Sequence, residues 1–211
     1  MRRLIIIPIV HAASDLGRLQ GNIAEAKVKL MSESTIESGR RMVELFWSEL
    51  KEAITCWSQD FSKMQIYQDA LPIGPNQLLN IEQKIIDDLS AKGSENHRLL
   101  QWLSSRGAKI FGTEDPGLLL REYQLAQRSL KFYDSDRTAS QSDFDQHCEE
   151  QRMLLESRDA FIAQRIEKTL LADHSGLIFL GMLHRLKPHL SSDIEVTYPF
   201  GKPSLDLVRT A

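Results

Sequence analysis

The sequence predicts a single α/β domain with a largely parallel or mixed sheet of about five strands flanked by many helices, on three observations. Short runs rich in Ile, Val, Leu and Phe alternate with longer amphipathic segments, the pattern of strands joined by helical crossovers. The first run, Leu4 to Val10, is apolar on both alternating faces, as a strand covered on both sides must be. No stretch rich in Pro, Gly or Ser divides the 211 residues, and their 42% hydrophobic content suits one core.

In chain order, Leu4 to Val10 is the first strand. Ile36, Val43, Phe46, Leu50, Ile54 and Trp57 then recur at helical spacing. A second strand is expected over Lys63 to Asp69, stopped by Leu71-Pro72-Ile73-Gly74-Pro75. Gln77 to Leu89 and Glu95 to Ser105 read as two helices, with Gly93 ending the first and Ser94 capping the second. Ala108 to Thr113 is a third strand, delivering Glu114 at its carboxyl end. Pro116 suits the first turn of the next helix, which runs to about Phe132. Phe144, Cys148, Leu155, Ile162, Ile166 and Leu170 predict a long helix over Phe144 to Leu171. Leu177 to Leu180 is a fourth strand, followed by Gly181 to His184 and a helix interrupted at Pro188. Ile194 to Tyr198 closes the series as an edge strand.

Composition excludes several classes. A net charge of -3 and a pI near 6.1 give no basic footprint, so nucleic acid is not an expected partner. Met1-Arg2-Arg3 and the apolar run after them are too short for a signal peptide and are broken by Pro8, His11 and Asp15. No run approaches the roughly 20 apolar residues of a membrane span. A cytoplasmic protein with no membrane partner is expected, its oligomeric state left open. Cys56 and Cys148 form no CxxC motif and are expected to be a buried pair of thiols.

In open parallel sheets, functional crevices lie beyond the carboxyl ends of the strands. That rule nominates His11, Ser14 and Asp15 after the first strand, and Tyr67 and Asp69 after the second. It adds Thr113, Glu114 and Asp115 after the third, and His184 after the fourth. Imidazoles and carboxylates converging there would bind a divalent metal ion or share general acid and base work. Each also has a structural role open to it. Asp15 and Glu114 can complement helix starts, Tyr67 and Asp69 can satisfy backbone groups at the Pro-rich turn, and either histidine can be a buried hydrogen-bonding residue. Arg158 shares a helical stripe with Leu155 and Ile162. Its stem either carries the charge to the surface or points inward to pair with Glu114 or an anionic substrate group. His97, His147, His174 and His189 read as surface or capping residues.

The stretch Arg158-Asp159-Ala160-Phe161-Ile162-Ala163, followed by Leu177-Ile178-Phe179-Leu180-Gly181-Met182-Leu183-His184, resembles the closing motif of the TraB/PrgY and Tiki proteins. That group belongs with the erythromycin esterases and the haem-binding ChaN proteins, whose pattern is two GxxH motifs with a glutamate and an arginine between them. On this resemblance Gly181 and His184 match the second GxxH, Arg158 the arginine and Glu114 the glutamate. The first motif reads Pro8-Ile9-Val10-His11, with Pro8 where the pattern has glycine. The landmarks His11-Ala12-Ala13-Ser14-Asp15, Tyr67-Gln68-Asp69 and Gly112-Thr113-Glu114-Asp115 also resemble those of a prokaryotic family that carries no assigned activity.

The resemblance implies a hydrolase acting on a small-molecule or peptide substrate. His11, Glu114 and His184 would ligate a divalent metal ion or activate water, and Arg158 would stabilise developing negative charge. Asp15, Tyr67, Asp69 and Gly181 would line the substrate site. The other readings left open are a non-catalytic small-molecule or haem-binding protein and a signalling or interaction protein.

Overall fold

The apolar runs become strands, and because every connection between them is a crossover, all of them pair in parallel. A computed structural model describes residues 1–9, 31–74, 81–134 and 140–201. Its strands are β1 (Arg2–Ile9), β2 (Met64–Pro72), β3 (Lys109–Glu114), β4 (Ser175–Gly181) and β5 (Ile194–Thr197), in the order β3-β2-β4-β1-β5. β5 is an edge strand, as expected. Among the described residues five α-helices accompany them: α1 (Glu33–Thr55), α2 (Ile81–Ala91), α3 (Glu95–Ser105), α4 (Pro116–Asp134) and α5 (Gln141–Thr169). None of the described helices is long and apolar enough to cross a membrane.

The two-residue alternation of the strands divides the core into two layers. Ile5, Ile7 and Ile9 of β1, Met64 and Ile66 of β2, and Leu177 and Phe179 of β4 pack on Trp47, Leu50 and Ile54 of α1 and on the apolar stripes of α2 and α3. On the other side Leu4, Ile6, Tyr67, Ile178 and Leu180 pack on Ile162 and Ile166 of α5. A helix set on each face of a parallel sheet is the arrangement that lets strands be apolar throughout.

Several expectations are corrected. Among the described residues no α-helix follows His184, only a 3-10 turn at Lys187–His189, because Asp159 of α5 captures the Arg185 amide at 2.9 Å and Pro188 follows closely. Both cysteines are exposed rather than buried. Phe144 and Cys148 also face solvent. Only the C-terminal half of α5 lies on the sheet, while its N-terminal half pairs with α4, where His147 meets the Ser129 hydroxyl at 2.7 Å. His147 is thus buried, and so is His97, whose Nδ1 lies 2.7 Å from the capping Ser94. Residues 77–80 of the expected second helix, together with His11, Ser14 and Asp15, fall outside the described residues.

β2 runs past its expected end at Asp69 through an irregularity. Gln68 pairs with Gly112 and Pro72 with Glu114, so β2 uses more residues than β3 over the same span. The slack is taken up at Ala70, which has φ of 61°, a left-handed conformation that costs a residue with a Cβ about 1–2 kcal/mol. Closure of this bulge needs Gly112, since a Cβ there would lie 2.5 Å from the Pro72 carbonyl oxygen. Gly112→Ala is therefore expected to lower stability by at least about 2 kcal/mol in urea unfolding, because two backbones rather than a flexible side chain must yield.

Candidate functional site

The bulge, the end of β3, the turn after β4 and the middle of α5 bring Asp69, Glu114, His184, Arg158 and Asp159 into one buried cluster. Asp69 lies on the α5 side of β2, and the bulge after it re-aims the chain so that its carboxylate spans two elements. Its Oδ1 accepts from Nη2 of Arg158 at 2.8 Å, and its Oδ2 accepts from the Gly181 amide at 2.8 Å. Glu114, the last residue of β3, receives Arg158 along one edge, Nη2 to Oε1 at 2.7 Å and Nε to Oε2 at 3.3 Å. The remaining terminal nitrogen, Nη1, donates to Glu122 of α4.

His184 is fixed by the residue next to Arg158. Its Nδ1 lies 2.6 Å from Oδ1 of Asp159, whose other oxygen takes the Arg185 amide. A carboxylate that accepts at both oxygens requires the proton on Nδ1, so Nε2 is turned inward and carries the lone pair when the ring is neutral. Nε2 lies 3.5 Å from Oδ2 of Asp69. Consecutive residues of α5 thus organise both halves of the cluster, Arg158 clamping the carboxylates and Asp159 orienting the imidazole.

Among the described residues, Asp69, Glu114, Glu122 and Asp159 gather around Arg158 and His184. Burial pushes Glu114 up to about 7, reinforced by the Asp69 charge and opposed by Arg158. Burial pulls His184 down, but the Asp69 charge and the Asp159 hydrogen bond more than restore it, leaving it raised. Burial likewise opposes the Arg158 charge, yet its carboxylate partners raise it. The common physical cause is burial, which disfavours each charged form, set against the charged partners that face it.

Of the residues nominated from the sequence, Glu114, Arg158, His184, Asp69 and the Gly181 backbone converge here. Tyr67 does not. It is fully buried, its hydroxyl meets Thr169 at 2.9 Å, roughly three helical turns along α5 from Arg158, and burial drives its pKa to about 12. It is a structural residue, stacked on Phe111. Thr113 donates to the Gln68 carbonyl oxygen and Asp115 caps α4 through the Gly117 and Leu118 amides, so neither enters the cluster. His11 and Asp15 lie outside the described residues.

Sequence reasoning gave no role to Asp159 or Glu122. Asp159 had a signal, because a second charged residue beside a core-facing arginine on a helix also needs a partner. Glu122 had none, being one of many half-exposed glutamates. One atom each from Asp69, Glu114 and His184 lies within 4.8 Å of the others, a spacing and donor set suited to a divalent cation. Arg158 leaves room for this, since each carboxylate oxygen has two lone pairs and the long Nε contact uses Oε2 of Glu114 only weakly. No protein-family model, curated protein or solved structure matches this chain.

Proposed function

We propose that the protein is a hydrolase, acting on a small-molecule or peptide substrate, with a divalent metal ion held by Asp69, Glu114 and His184. The observation that carries this reading is the state of His184. A buried carboxylate pins Nδ1, and Nε2 faces an acid-rich pocket, the arrangement by which carboxylates orient histidine ligands. A divalent ion supplies Lewis acidity and makes water a nucleophile near neutral pH. Arg158 would stabilise negative charge developing on the substrate while keeping Asp69 and Glu114 in place. His184 would act as general base if water is activated without metal. The resemblance to the TraB and Tiki group points the same way. A tetrapyrrole fits less well, since its propionates would meet a cluster already rich in carboxylates. Free, exposed thiols at Cys56 and Cys148 suit the cytoplasm.

The test is metal binding by tag-free protein, measured calorimetrically with Zn²⁺ and Mn²⁺, beside a screen of ester and peptide substrates. Asp69→Ala and His184→Ala are expected to abolish binding and hydrolysis, and Asp159→Asn to weaken binding by about 10- to 100-fold. Unchanged metal affinity and hydrolysis in both alanine variants would sink the assignment.

A further inference from the structure

Asp69 leaves register with both neighbouring strands at the point where it joins the cluster. The register of β2 with β4 ends at Gln68, opposite Phe179, and its register with β3 skips from Gln68 to Pro72. Two buried side chains serve the main chain there. Thr113, 0% exposed, gives its hydroxyl to the Gln68 carbonyl oxygen at 2.6 Å, and Gln68, 1% exposed, gives Nε2 to the Asp69 carbonyl oxygen at 3.0 Å. A hydroxyl and an amide thus supply two consecutive carbonyls of β2 just before the left-handed Ala70. Alternation places the Gln68 side chain on the sheet face of Ile66 and Phe179, away from the cluster. Only the NH2 end of an amide can meet a carbonyl, so Oε1 is the end left over, and it finds no hydrogen-bond partner among the described residues. A buried acceptor without a donor lowers stability, and an apolar side chain of the same length would avoid that cost. Stability alone does not account for a glutamine here, whereas its hold on the Asp69 main chain does.

We propose that Gln68 is a positioning residue: from the opposite face of the sheet, and through the Asp69 main chain, it holds the Asp69 carboxylate between Arg158 and the Gly181 amide, while Thr113 fixes the Gln68 main chain in turn. Neither side chain enters the cluster. The inference goes beyond the hydrolase reading and rests on it only where metal affinity is measured.

The experiment is hydrogen exchange of the Gly181 amide, followed by NMR in ¹⁵N-labelled protein held in EDTA, because that amide donates to Oδ2 of Asp69 and reports where the carboxylate lies. Gln68→Met removes the donor to Asp69 and the orphaned acceptor together, two losses that offset each other in stability. Its urea midpoint is expected to stay close to wild type, while Gly181 exchanges about tenfold faster and the Leu177 to Phe179 amides of β4 keep their protection. Thr113→Val should have the same local effect, and Thr113→Ser, which keeps the hydroxyl, should retain wild-type exchange. The affinity of Gln68→Met for Zn²⁺ or Mn²⁺ should also fall about tenfold. Wild-type exchange at Gly181 in Gln68→Met or Thr113→Val, faster exchange spread evenly along β4, or loss of cooperative unfolding in Gln68→Met would overturn the proposal. Faster exchange at Gly181 with wild-type metal affinity would uphold it and remove Asp69 from the metal site. A wild-type protein that binds no metal would sink the hydrolase reading and leave the exchange result untouched.

Discussion

Arg158→Met should be the most damaging single change at the cluster, lowering stability by about 3–5 kcal/mol in urea unfolding at neutral pH. The loss does not measure attraction across a salt bridge. Removing the guanidinium takes one donor from Asp69, which keeps the Gly181 amide, and two from Glu114, where both side chains are essentially unexposed. Met fills the aliphatic volume, so a cavity contributes little to the effect. Arg158→Lys should recover only part of the loss. A single ammonium cannot reproduce the fork that serves both Glu114 oxygens, Asp69 and Glu122 at once. The deficit of Arg158→Met should shrink on acidification to about pH 5, where the stranded carboxyls take up protons and become neutral. Adding Glu114→Gln to Arg158→Met should restore stability more than the sum of the two single changes, the mark of a shared network. A deficit under about 1 kcal/mol that does not vary with pH would show that the cluster is solvated and that Arg158 is dispensable.

The strands, and the charged residues that end them, were legible in the sequence because they depend on local pattern. A run such as Leu177 to Leu180 has no polar face to offer solvent, and the rule that sites gather at strand ends uses only strand direction. Arg158 was legible for the same reason, as a charge on a helical stripe that continues to Ile162. The rest depends on registration between distant segments. The left-handed Ala70 and its dependence on Gly112 arise where β2 and β3 meet out of step, and nothing within Tyr67-Gln68-Asp69 announces that mismatch. Tyr67 and Asp69 look equivalent in sequence and lie on the same face of β2. Yet one meets the last turn of α5 and the other its middle, a difference set by how far the helix slides along the strand. The N-terminal half of α5 misled for a related reason. Phe144 and Cys148 continue the apolar spacing but lie beyond the sheet, where burial falls to His147 and Leu154 instead.

Stability of the metal-free protein is expected to fall as pH rises from about 5 to about 8, the reverse of what paired carboxylates usually give. Glu114 titrates near 7 when folded against an ordinary value of 4.5, so the folded state holds its proton more tightly than the unfolded chain does. Its contribution is complete below 4.5 and is lost as pH passes through about 7, an effect on the order of 3 kcal/mol. His184, raised above 6.5, acts with the same sign. Its contribution is complete below 6.5 and fades as pH rises through its folded value. The surface carboxylates lowered by arginine partners, Glu37 and Asp193 among them, exert their opposite effect below this window. Glu114→Gln, which carries no proton to lose, should flatten most of the slope in urea midpoints measured across the range in EDTA. Saturating divalent metal should reverse it. A cation competes with protons for Glu114 and His184, so its binding tightens and its stabilisation grows as pH rises. A metal-free slope that falls and a metal-loaded slope that rises, both largely flattened in Glu114→Gln, would tie the carboxylates of this cluster to cation binding. A pocket whose carboxylates served only to hold Arg158 would give the falling slope with or without metal.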